Sequence, residues 1–373
     1  MTIGFHSPLP PAPTGVADYS AALLDSLRRR TEVVVNGDGA EVNLYHLGNN
    51  HLHREIYARA LARPGVVVLH DAVIHHFFLG TLDERAYLEE FVYNYGEWTR
   101  GLAGELWRAR SLSAQDPRYF DYPMLRRIAE ASRAVVVHNP AAAAIVHRHA
   151  PGARVVEIPH LFVAPAPPAP GEVLRLRQRL GVPADGVLFG AFGHLRESKR
   201  LCQILRAFTR VRQAEPRAWL LVAGEFTSTD LARAIAPDLS QPGVIRRGYL
   251  PERDFWLHAA AVDACVNLRY PGAGETSGIA IRLMGIGKPL VVTAGEEYAR
   301  FPEAACVRID TGSAEQEMLT TCLLWLARNR RAAEESGRLA AAHVQAEHDL
   351  DRVAQCYLDA LCACLSTSAS TYP

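Results

Sequence analysis

The chain of 373 residues lacks a run of the roughly 18 consecutive apolar residues that a membrane-spanning helix needs. A basic region followed by a long apolar one is missing at the start, where Met1-Thr2-Ile3-Gly4-Phe5-His6 leads directly into a strand pattern, so a cytoplasmic location is expected. Surplus charge is absent: 40 Lys and Arg balance 40 Asp and Glu, which leaves no electrostatic footprint for nucleic acid. Any affinity for phosphate must be local. Cysteine is sparse, and the 7 residues are scattered or on apolar helical faces without paired zinc spacing, as expected in a reducing compartment. His51 with His53, and His147 with His149, are spaced two apart on expected helices and so point in different directions. No Asp-x-Asp pair ends a strand, and neither metal nor cofactor is expected.

Apolar residues, by contrast, make up 49% of a chain longer than one core usually supports, so two domains of about 150 to 200 residues are expected. β-Branched runs at 33–35, 66–69, 134–137 and 155–158 alternate with helical patterns such as 19–29, the rhythm of a parallel sheet. That rhythm breaks over the proline-rich stretch 161–171, which reads as an extended connector about which the domains could close. It resumes with expected strands at 186–192, 219–223, 243–246, 262–267 and 290–293, and a helix at 201–213. The expected division is 1–163 for the first domain and 171–349 for the second. Helical patterns follow over 315–328, 331–348 and 350–365, before a polar tail, 366–373, expected to be disordered.

The most telling stretch runs from Arg269 through Tyr270-Pro271-Gly272-Ala273-Gly274-Glu275-Thr276-Ser277-Gly278 into the apolar run Ile279 to Met284, then Gly287-Lys288-Pro289-Leu290. It reads as a strand end, a glycine turn with one carboxylate, the start of a buried helix and a second strand. Gly272, Gly274 and Gly278 permit close backbone approach and positive φ, and the free amides of a helix start attract an anion. Glu275 would repel a phosphate, so its partners are hydroxyl donors, and a sugar attached to a phosphate offers both groups. Alternatively Glu275 favours the helix dipole and Ser277 caps the helix.

Ligands of open parallel sheets sit beyond the carboxyl ends of the strands, which directs attention to four further loops. Ser7 to Thr14 is stiffened by proline; Gly15 after it could bring amides to a diphosphate, and Asp18 is either functional or an N-cap. His70, with Asp71 beside it, ends the run 66–69 and could donate to a substrate oxygen or position an acceptor. Gly193-His194-Leu195-Arg196-Glu197-Ser198-Lys199-Arg200 offers close approach at Gly193 and cations at Arg196, Lys199 or Arg200. Tyr249, beside Gly248, covers a flat base or simply packs. His75 to Leu79 and the aromatic-rich 87–107 could wall an acceptor, face lipid or form ordinary helix core; nothing supports a membrane partner.

Taken together these loops resemble the nucleotide-sugar glycosyltransferases of the GT-B fold, most closely retaining family 4. The matching parts are Leu47-Gly48-Asn49-Asn50 with Pro64 to Asp71, Gly193 with Lys199, Leu221 to Glu225, Val262 to Arg269 and Gly274 to Gly278. The resemblance implies two Rossmann-like domains facing across a donor cleft, with the helix at 350–365 crossing back onto the first domain. It further implies that Glu275 holds hydroxyls of the transferred sugar, and that backbone around Ser277 and Gly278, with Lys199 and Gly15, meets the diphosphate. His70 would lie against the sugar and leaving group. Two departures stand out. His194 replaces an arginine that the family commonly has after the loop glycine, and Leu283 or Arg282 stands where a second glutamate grips the ribose.

The expected reaction is transfer of a sugar from a UDP- or GDP-sugar to an acceptor alcohol, with retention and without metal. Glu275, Lys199, His70 and Asp18 are the catalytic candidates. Gly15, Gly193, His194, Arg196, Lys199, Tyr249, Glu275, Thr276, Ser277, Gly278 and Arg282 are the donor-binding candidates. The other readings are a nucleotide-sugar epimerase of the same fold and a catalytically silent nucleotide-sugar sensor.

Overall fold

The structure is a computed structural model and describes residues 1–369. Strands β1 (Thr2–His6), β2 (Glu32–Val35), β3 (Val42–Leu47), β4 (Val66–Leu69), β5 (Ala134–Val137) and β6 (Val155–Glu157) form a parallel sheet in the order β2-β1-β3-β4-β5-β6. A second parallel sheet comprises β7 (Val187–Phe192), β8 (Ala218–Ala223), β9 (Val244–Arg247), β10 (Ala264–Asn267), β11 (Leu290–Thr293) and β12 (Val307–Ile309). Its order is β12-β11-β10-β7-β8-β9. Continuous apolar runs suit strands covered on both faces. In β4, Val66 and Val68 feed one core while Val67 and Leu69 feed the opposite one. Strand order reverses between β1 and β3 in the first sheet and between β7 and β10 in the second, so each sheet has one switch point.

The last helix, Leu350–Ala369, packs on the first, Gly15–Arg28, where the Tyr19 and Tyr357 hydroxyls lie 2.9 Å apart and Ser26 donates to Asp351 at 3.1 Å. It extends beyond the expected end at 365; residues 370–373 of the expected tail lie outside the described residues. The first helix begins at Gly15 rather than Tyr19. Thr14 supplies the cap by accepting from the Val16 amide, so the reading of Asp18 as N-cap is corrected. Strand β3 was not expected, because Asn43 and His46 interrupt its apolar pattern. His46 is nevertheless fully buried, stacked on His70 and tilted against Phe5. The aromatic stretch 87–107 is largely helix core: Tyr87, Phe91, Leu106 and Trp107 are buried together, although Trp98 stands in solvent.

Gly224, immediately after β8, has φ +144°, and a Cβ there would lie 2.0 Å from the Gly193 carbonyl oxygen. Neither backbone can yield cheaply. Gly224→Ala is therefore expected to lose about 2–4 kcal/mol of stability, lowering the melting temperature by roughly 5–15 °C. An unchanged melting curve would contradict this close approach.

Candidate active site between the two sheets

At the second switch point, the loop after β7 and the turn after β10 lie side by side. Gly193 has φ +94°, and a Cβ there would come 2.7 Å from Lys199 Nζ, so the glycine is what lets Lys199 fold back over the loop. Lys199 is only 9% exposed and donates to the Phe192 carbonyl at 2.7 Å. Burial, then the charges of Arg269 and Arg196, hold its pKa well below the usual lysine value, with Glu275 alone pulling the other way. Tyr270 donates its amide to the Ser198 carbonyl at 2.7 Å, tying the two segments together.

Glu275 is the hub of the turn. Its Oε1 accepts from Arg269 at 2.5 Å and from Arg196 at 3.3 Å, while Oε2 accepts from the Ala273 amide at 2.7 Å. Burial alone would raise its pKa; Arg269 and then Arg196 outweigh that and lower it, so Glu275 is ionised at neutral pH. Ser277 caps the helix Gly278–Gly285 through Ala280, at 3.2 Å, and its hydroxyl oxygen also accepts from Asn267 at 2.9 Å and Arg269 at 3.1 Å.

The first domain meets this turn directly. Ala72 and Val73 donate their amides to the Ala273 carbonyl at 2.8 and 3.0 Å, and Asn139, after β5, donates to Gly274 O at 3.0 Å and Thr276 Oγ1 at 2.9 Å. Gly274 has φ +69°, and a Cβ there would lie 2.9 Å from both Ala72 and Ile145. The expectation of positive φ thus holds for Gly274 but not for Gly272 or Gly278, since Gly278 already has the backbone of a helix start.

Asp71 lies close enough to Glu275 for their charges to interact. Burial first and that charge second push the Asp71 carboxyl up to about 6, against the Asn49 amide that donates to it at 2.9 Å. His70 is hydrogen-bonded through Nε2 to His46 Nδ1 at 3.0 Å and meets Tyr19 edge-on at 4.9 Å. Burial, then His138 and His46, lower its pKa well below the free value, so it acts as a neutral imidazole.

The other expected residues are more dispersed. No atom would crowd a Cβ on Gly15, so nothing in its surroundings demands glycine; one on Gly278 would lie 3.3 Å from His160 Nε2 of the first domain. Partial desolvation, then Lys199 and Arg196, lower the pKa of His194, although part of the ring faces solvent. Arg196 is the nearest following cation in this loop, and it donates to Glu275. Arg200 turns away to pair with Glu315. Tyr249 is 71% exposed, which corrects the reading that it simply packs. Arg282 lies 4.4 Å over both Phe255 and Trp256 and pairs with Glu252. Burial and then the Glu252 charge raise the pKa of Asp18, and Arg282 opposes them.

Arg269, Asp71 and Asn139 were not among the candidates. Arg269 directly follows β10 at a switch point, a signal in the sequence; the meeting of Asp71 and Asn139 with Glu275 depends on domain packing. Arg196 and Arg269 thus hold one ionised carboxylate with Lys199 beside them, and this cluster of basic groups next to a helix start suits an oxyanion ligand.

No protein-family model and no curated protein matches the chain. Among solved structures it is similar to HepE of Anabaena, crystallised with UDP and glucose, at TM-score 0.69 and 14% identity over 97% of this chain and 100% of that one. Sucrose-phosphate synthase of Thermosynechococcus elongatus gives TM-score 0.67 and 14% identity over 99% and 100%. WaaG, a glycosyltransferase involved in lipopolysaccharide biosynthesis, gives 0.63 and 16% over 96% and 99%. Two doubly wound parallel sheets with facing carboxyl ends, and a last helix returned to the first domain, give this chain the GT-B fold.

Proposed function

We propose that the chain is a retaining, metal-independent glycosyltransferase, similar to family 4, that moves a sugar from a nucleotide diphosphate to an acceptor hydroxyl. The observation that carries this reading is the set of buried Lys199, half-buried Arg269 and solvent-facing Arg196 around Glu275 at a switch point. A diphosphate would neutralise the cations, and hydroxyls of the attached sugar would donate to the carboxylate. UDP is the favoured nucleotide, since the similar HepE has been crystallised with UDP and with UDP-glucose.

As the glycosyl bond breaks, negative charge moves onto the leaving diphosphate. Lys199, Arg196 and the first amides of the helix Gly278–Gly285 would already be oriented toward it, which is electrostatic preorganisation. The acceptor proton would pass to a departing phosphate oxygen on the same face of the sugar, giving retention. Neutral His70 would contribute as a hydrogen-bonding group rather than as a cation.

Hydrolysis of UDP-glucose in the presence of EDTA, followed by proton NMR, tests the reading without knowledge of the acceptor. The first glucose released is expected to be the α anomer, and Glu275→Gln is expected to slow release about a hundredfold, within the range for loss of one preorganised electrostatic group. First release of β-glucose would contradict retention. A changed sugar still attached to UDP would identify an epimerase, and tight binding without turnover across an acceptor panel would identify a sensor.

A further inference from the structure

An open groove of about 600 Å³ lies on the first domain, lined by His76, Leu79, Arg108, Arg110, Ser111 and Ser113 among others. Its size is within the range of about 300–1,000 Å³ for small-molecule pockets. No carboxylate lines it. Elsewhere the arginines of this region are paired: Arg100 with Glu97, and Arg118 with Glu105 and Asp116. Arg108 and Arg110 form no such ion pair among the described residues. Arg110 is instead positioned by the Trp107 ring, 4.4 Å from its guanidinium, and by donating to the Trp107 carbonyl at 2.8 Å.

The groove adjoins the Glu275 site through a short chain of contacts. His76 is hydrogen-bonded to Asn49 at 3.3 Å and to the Ser113 carbonyl at 3.2 Å. Asn49 in turn donates its amide to Asp71 and receives the Phe77 amide on its side-chain oxygen at 2.8 Å. The Arg196 guanidinium, which donates to Glu275, lies near enough to influence the His76 ring.

Two guanidinium groups without acids, two serines and one apolar wall make a surface for a sugar-sized molecule bearing an oxyanion. We infer that this groove is the acceptor subsite and selects an acceptor alcohol that carries a carboxylate or phosphate group. The role as acceptor subsite rests on the transferase reading; the preference for an oxyanion does not. Guanidinium forks and hydroxyls at the groove would hold the charged group, leaving a free hydroxyl to extend toward Asp71 and the donor.

The test is calorimetric titration of the full chain with glucose, glucuronate and glucose 6-phosphate, each with and without UDP. At least one charged sugar is expected to bind tenfold or more tighter than glucose. Arg108→Ala combined with Arg110→Ala is expected to remove that preference while leaving UDP affinity within twofold. If the double variant misfolds, Ser111→Glu, which places a carboxylate in the groove, is expected to remove it instead. A preference for only one charged sugar supports the proposal and identifies the group. Equal binding of charged and neutral sugars, or a preference that survives these substitutions in folded protein, overturns it. A chain that fails to bind UDP but prefers the anions overturns the transferase reading and leaves the oxyanion preference standing.

Discussion

Lowering the pH from 7 to 5 is expected to destabilise the fold and lower its melting temperature markedly. His53, His138 and His348 have pKa values near 4, and His75 and His160 near 3, in each case chiefly through burial. The unfolded chain takes up these protons below about pH 6.5 whereas the folded chain does so only near pH 3–4, so stability is lost as pH falls between those limits. At pH 5 each group contributes a loss of about 2 kcal/mol. Five such groups lose about 10 kcal/mol, comparable with the whole 5–15 kcal/mol stability of a typical fold. The raised carboxyls of Asp71, Asp18, Glu90 and Glu297 have the opposite sign, because the folded state binds their protons first; Asp71 returns about 1 kcal/mol at pH 5. Circular dichroism melts across this range check the expectation. A melting temperature that stays constant from pH 7 to 5 would show that these imidazoles are not buried neutral.

Lys199→Met is expected to separate function from stability. The cation is 9% exposed, faces Arg196 and Arg269, and pairs with a carbonyl rather than a carboxylate. Methionine keeps most of the apolar stem while removing the desolvated charge, so the melting temperature should hold or rise. Turnover of a nucleotide sugar should fall about a hundredfold or more if, as proposed, the lost group is held against the leaving diphosphate. A variant with normal turnover would place Lys199 among purely structural groups. A variant that unfolds would mean that its bond to Phe192 outweighs the cost of burying its charge.

Much of the fold was legible because its apolar runs and its glycine or proline breaks coincide with strands and loops. The segment β10, turn, Gly278–Gly285 helix and β11 reads directly from Val262 to Thr293, since a polar glycine turn lies between two apolar stretches. Strand β3 was hidden by Asn43 and His46, polar residues whose burial depends on neighbours remote in sequence: His6 for Asn43, and Phe5 and His70 for His46. The candidate site was legible as residue types in loops after strands, with Lys199, Arg196 and Glu275 brought together by the fold. Its internal pairing was not. Whether Arg282 served a ligand or stacked on Phe255 and Trp256 depends on packing that spacing does not encode. The contact of Asn139 with the Glu275 turn likewise spans two domains.

Calorimetric titration of UDP into the wild-type chain and into a variant combining Arg196→Ala with Lys199→Met addresses the cationic cluster itself. One UDP per wild-type chain is expected, with affinity at least a hundredfold weaker in the folded variant. Equal affinity for the two proteins, or no binding of UDP or GDP to the wild type, would contradict a diphosphate held at this switch point.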